Sequence, residues 1–150
     1  MNRYLLLAGR ILIASLFVAG AVAKAATFDA TSEQLARFGF GGPNFLLTSV
    51  IAFELAAGAL LGLGLRTRTV AWTLGGYVAL ITVLVHRDFA LALNMNFALS
   101  NLAIIGGLIG IAGQKAPPFS LDERRMRETA NMARGELGQG IPLRAHAGRA

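Results

Sequence analysis

The sequence contains no cysteine. Disulfide staples, thiolate nucleophiles, CxxC redox pairs and cysteine-held zinc are therefore excluded. The two histidines, His86 and His146, are too few to build a metal site by themselves, so no metal is expected. Charge is scarce as well. Asp, Glu, Lys and Arg make up 15% of the 150 residues, against about a quarter in ordinary soluble domains. No Ser-His-Asp set and no glycine-rich phosphate loop occurs, so no catalytic constellation is visible and enzymatic activity is left open.

What remains is oily. The chain is 55% hydrophobic, with a mean hydropathy of +0.58. A net charge of +6 invites a nucleic-acid reading, but seven of the fourteen basic residues follow Gly113 and the others flank apolar runs instead of forming a patch. No nucleic-acid partner is expected.

Four apolar stretches, about 4–23, 45–65, 69–86 and 97–113, approach the length that crosses a ~30 Å hydrocarbon core at ~1.5 Å per residue. The expected fold class is an all-α membrane protein. A four-helix transmembrane bundle spans residues 1–113, with a short amphipathic helix in the first loop, and a basic cytoplasmic tail over 114–150 carries a helix at about 121–134. The first stretch resembles a signal peptide at Ala21-Val22-Ala23, but its length and Arg10 favour an uncleaved span. In the loop that follows, Thr31-Ser32-Glu33-Gln34 reads as a capping box before a helix at 33–38. Phe28, Leu35, Phe38 and Phe40 make this loop either an interfacial anchor or a lid over a lipophilic ligand.

Glu54 lies near the middle of the second stretch, where an ionised group costs roughly 2.5 kcal/mol or more without a partner. Gly58 and Gly62 follow on the same face, so the acid points where another helix approaches closely. Arg10 is the other formal charge well inside a span. The two form a proposed buried polar pair, read either as a register-fixing ion pair or as a proton- or quinone-linked site. Lys24, His86 and Asn101, with Ser100 beside it, lie near the opposite boundary and are the candidate ligand or quinone site. Gly106, Gly107 and Gly110 read as helix-packing residues.

Orientation follows from basic residues in the loops. With the N-terminus in the cytoplasm, that side carries Arg3, Arg66, Arg68 and the tail, and the other side only Lys24, Arg37 and Arg87. Both termini are then cytoplasmic in a bacterial inner membrane. Ser120-Leu121-Asp122-Glu123 is a second capping-box pattern, opening a basic helix suited to anionic lipid headgroups or to a partner. Residues from Gln139 to Ala150 lack apolar periodicity and are expected to be mobile when alone.

GRILIASLFVAGAVAK, FELAAGALLGLGLRTR, His86 with Phe89, NFALSNLAIIGGLIGIAG and SLDERR, in that order, resemble the DoxX family of bacterial membrane proteins, over about Leu7 to Arg125. The resemblance implies a four-span inner-membrane protein connected with quinone chemistry or oxidative-stress partners. Arg10, Lys24, Glu54, Arg66 and His86 match recurrent polar positions, while Ser100 stands where many relatives carry Lys. With no catalytic residues in view and a basic tail suited to docking, the expected function is a non-catalytic accessory subunit of a larger membrane redox complex. The alternative is a quinone-linked oxidoreductase component binding a quinone or another lipophilic ligand within the bundle. Partners are then the bilayer and other membrane subunits. No intrinsic cofactor is expected, quinone being the candidate ligand.

Overall fold

The computed structural model describes residues 2–85, 92–115 and 117–139. These form six helices: α1 (Arg3–Ala26), α2 (Phe28–Arg37), α3 (Pro43–Leu63), α4 (Thr67–Val85), α5 (Ala92–Ala112) and α6 (Leu121–Gln139). Four of them, α1, α3, α4 and α5, are long and apolar enough to cross a membrane. The chain is an all-α membrane bundle. His86, Arg87 and residues 140–150 lie outside the described residues, and with them the expectations placed on His86 and on the end of the tail.

The helix boundaries come from local chemistry. The Asn2 side chain caps α1 by accepting from the Tyr4 N–H at 3.0 Å. α3 starts with Pro43 at its first position, behind Gly42 at φ +64°, and stops at Gly64 at φ +69°. A Leu65 N–H bond to the Leu60 carbonyl closes that end at 3.0 Å. α2 starts earlier than the Thr31 pattern suggests. Thr27 alone separates it from α1: the Thr27 N–H still bonds to Ala23, and the Thr27 carbonyl already accepts from Thr31. One residue of non-helical backbone suffices to turn the chain, so Thr31 falls inside the helix instead of capping it.

α1 packs chiefly against α3, and α4 against α5; thinner contacts of α3 with α4 and of α1 with α5 close the ring. Phe17, Leu61, Leu74 and Leu108, one from each span, are buried at its centre. Leu12, Val22, Leu80, Val83, Leu99 and Leu102 are exposed around the outside, as lipid-facing positions require. Small residues set the closest approach. A Cβ added at Gly58 would meet the Ala14 carbonyl at 3.2 Å, and one at Gly107 would meet Ile13 at 2.7 Å. Gly62 is in ordinary contact with Ala14. Gly106 and Gly110 do not pack as expected: a Cβ at either position meets nothing within 4 Å. They share the helix with Gly107 but not its inward face, because only Leu108, Ile111 and Ala112 of that turn are buried.

α2 lies on α3 at the loop end of the bundle, held there by a short hydrogen bond from the Ser32 hydroxyl to the Asn44 side chain. At the opposite end α6 docks beneath the α3–α4 turn. The Ser120 hydroxyl accepts from the Glu123 N–H at 3.0 Å, as in a capping box, while the Glu123 carboxylate reaches back one residue further and accepts from the Phe119 N–H at 2.8 Å.

Candidate functional site

Glu54 is buried in α3, and its partner is Lys24. The Lys24 ammonium donates to both carboxylate oxygens, at 3.0 and 2.8 Å, and to the Gly20 carbonyl at 3.4 Å. The Tyr77 hydroxyl of α4 donates a short hydrogen bond to the same carboxylate. Tyr77 is steadied by Phe53, whose ring lies 5.0 Å away at 58°. Three helices thus converge on one acid, and its charge is met by donors on two sides.

The pairing of Glu54 with Arg10 is not found. α1 and α3 run antiparallel, with Gly20 beside Glu54, Ala14 and Val18 beside Gly58, and the Arg10 guanidinium beside Gly64. Ten residues from 54 to 64 amount to roughly 15 Å along the axis, beyond the reach of a guanidinium. Lys24 sits one turn beyond Gly20, and helical side chains lean toward the N-terminus, which brings its ammonium back to the acid.

Arg10 instead anchors the tail. It is buried, and it donates to the carbonyls of Pro118 and Phe119 at 3.1 and 3.0 Å. Asp122 completes the dock. Its carboxylate accepts from the Arg66 N–H at 2.9 Å and from the Thr67 N–H and hydroxyl at 2.8 Å each, capping α4 from a distant helix. Burial alone would raise the Asp122 carboxyl, but the Thr67 and Arg66 donors and nearby Arg125 hold it below the usual carboxylate range. The dock is therefore made by an ionised acid.

Two cavities flank the Lys24–Glu54–Tyr77 cluster. One, of about 380 Å³, lies between α2, α3 and α4; Leu35, Phe38 and Phe40 roof it, Leu47, Val50 and Ile81 wall it, and Lys24 and Tyr77 stand at its edge. The other, of about 290 Å³, lies between α1, α4 and α5 and is lined by Gly20, Lys24, Glu54, Tyr77 and Asn101. Lys24 and Asn101 therefore share a cavity, as their positions near one boundary suggest. Asn101 also donates to the Thr82 hydroxyl at 2.8 Å. Ser100 does not join them: it is exposed, and its hydroxyl is turned to the Asn96 carbonyl of its own helix.

Sequence reasoning did not single out Tyr77 or Asp122. A tyrosine hydroxyl in mid-span needs a partner in lipid, and that was the available signal for Tyr77. Nothing local marks Asp122 as a cap for another helix. Among the described residues no cluster of three or more His, Cys, Asp or Glu side chains is placed to hold a metal.

A sequence model of the DoxX family matches residues 5–87, a stretch that begins in α1 and reaches past the described end of α4. The chain is 31% identical over 116 residues to inner membrane protein YqjF of Escherichia coli (strain K12), an alignment covering 77% of this chain and 88% of that relative. No solved structure matches.

Proposed function

Because the chain belongs to the DoxX family, it is an integral membrane protein, and we propose that it binds a quinone-class lipophilic ligand in the cavity beneath α2. The headgroup lies at the Lys24–Glu54–Tyr77 cluster. The observation that carries this reading is an apolar chamber of about 380 Å³ whose edge holds an ammonium and a phenol joined to one buried acid. Ligand sites are built this way: apolar walls with few convergent polar groups, in volumes of roughly 300–1,000 Å³.

A headgroup carbonyl takes its hydrogen bond from Lys24. The contact it replaces is the one to Gly20, the longest of the three at 3.4 Å. A reduced headgroup offers its hydroxyl oxygen to the same ammonium, and Glu54, which does not line this cavity, holds Lys24 and Tyr77 in place. α2 serves as a lid, with Phe38 and Phe40 closing over the ligand's tail. Electrons, if they pass, come from a partner protein.

By this reading the protein resides in the bacterial inner membrane, the location that the name of its relative gives for that protein. Both termini are cytoplasmic. That orientation is supported by the gathering of Arg3, Arg66 and α6 at one end, where Arg3 pairs with Glu123 at 2.6 Å.

Titration of the purified protein with a short-chain ubiquinone by calorimetry tests the proposal. Wild type is expected to bind saturably. Tyr77→Phe and Glu54→Gln are each expected to weaken binding about tenfold, the size of one hydrogen bond to a charged or polar group. Equal, weak partitioning of the quinone into all three proteins contradicts it. The accessory-subunit reading draws on α6, where Met126 and Met132 are exposed; it predicts that quinone binding is absent and that Glu54 matters for stability alone.

A further inference from the structure

The tail end of the bundle holds a third cavity, of about 630 Å³, between α1, α3 and the first turns of α6. Arg3, Arg10, Arg124 and Arg127 line it, against a single carboxylate, Glu123. That carboxylate is already engaged. One oxygen receives Arg3 at 2.6 Å and Arg127 at 2.8 Å, and the other receives the Phe119 N–H at 2.8 Å. The Phe119 N–H, with Arg127 and Arg3, outweighs the effect of burial and holds Glu123 below the usual carboxylate range, so it stays ionised. Asp122 is turned away, onto the N-terminus of α4.

Three positive charges are thus left over. Arg124 has no salt-bridge partner among the described residues. Arg10 is only 2% exposed, and its Nε–H is buried with no hydrogen-bond partner. Arg3, Arg124 and Arg127 are the exposed arginines of the lining and meet whatever enters, while buried Arg10 contributes its charge. Leu7 and Leu63, from the ends of two spans, line its apolar side together with Phe119 and Leu121. Leu63 is more than half exposed.

We infer that this cavity binds the phosphate of an anionic phospholipid, with the arginines around the headgroup and the acyl chains running out past Leu7 and Leu63. The chemistry recognised is a phosphate group, for which guanidinium forks are well matched. The apolar exit along two spans selects a lipid over a free anion. The site is separate from the Lys24–Glu54–Tyr77 cluster and stands whether or not that cluster binds quinone.

Native mass spectrometry of the full-length protein tests this. The detergent-solubilised protein is mixed with equimolar phosphatidylglycerol and phosphatidylcholine, with and without millimolar inorganic phosphate. The expected spectrum shows a single-lipid adduct favouring phosphatidylglycerol at least fivefold and unmoved by phosphate. Arg124→Gln with Arg127→Gln is expected to reduce that adduct at least fivefold. Arg68→Gln with Arg134→Gln removes the same charge outside the cavity and is expected to leave it unchanged. Equal adducts of the two lipids, equal losses in the two double variants, or displacement by inorganic phosphate would each overturn the inference.

Discussion

Lys24→Met is expected to cost the folded protein ~3 kcal/mol, because it strands a buried carboxylate. Glu54 is 4% exposed and has only the Tyr77 hydroxyl left once the ammonium is gone. Glu54→Gln is expected to cost less, ~1 kcal/mol, since the amide oxygen still accepts from both donors and the lysine side chain, 32% exposed, keeps access to other acceptors. The double variant Lys24→Met/Glu54→Gln is expected to recover much of the loss, giving a coupling of ~2 kcal/mol in denaturant unfolding in detergent. Arg10→Met and Glu54→Gln, by contrast, are expected to add within ~0.5 kcal/mol, as distant sites do. A coupling between Arg10 and Glu54 as large as that between Lys24 and Glu54 would refute the register of α1 on α3.

The second large effect lies at the tail. Gly64→Ala is expected to undock α6. The glycine sits at φ +69°, where a side chain is strained, and an added Cβ falls 2.3 Å from the Ser120 Cβ and 2.9 Å from its Cα. The backbone bond from the Asp122 N–H to the Gly64 carbonyl, 3.0 Å, leaves no slack for α6 to step aside. Strain and overlap together are worth ~3 kcal/mol, comparable to other over-packed sites. The readout is protease cleavage or amide exchange within residues 117–134, rising sharply in the variant while the four spans stay protected. Unchanged protection of α6 would mean that the dock does not run through this contact.

These two sites show where the sequence is readable. The apolar runs foretell four spans, because length and composition alone decide whether a helix can cross lipid. Glu54, Gly58 and their shared inward face follow from helical periodicity, and the Ser120 cap is legible too, because its partners lie within four residues. The partner of Glu54 does not. It depends on how far α1 slides along α3, and that register is set by which residues of α1 meet Gly58 and by the α2 turn, which neither span specifies by itself. The same holds for Asp122, which caps a helix 55 residues away in sequence. Gly106 and Gly110 show the reverse error: small residues at helical spacing promise packing, yet only Gly107 of that set meets a neighbour. Ser100 likewise resembles a site residue by adjacency to Asn101, but one residue along a helix turns the side chain by ~100°.

The central claim is that the chamber under α2 reads a lipophilic headgroup through Lys24, Glu54 and Tyr77. A photoreactive quinone analogue, cross-linked to the protein in bilayer discs and mapped by peptide mass spectrometry, tests it most directly. The account predicts labelling concentrated on Leu35, Leu47, Val50 and Ile81, competed away by unlabelled ubiquinone and lost when Val50→Trp fills the chamber. Labelling spread over lipid-facing positions such as Leu12, Leu99 and Leu102, indifferent to competitor, would contradict it.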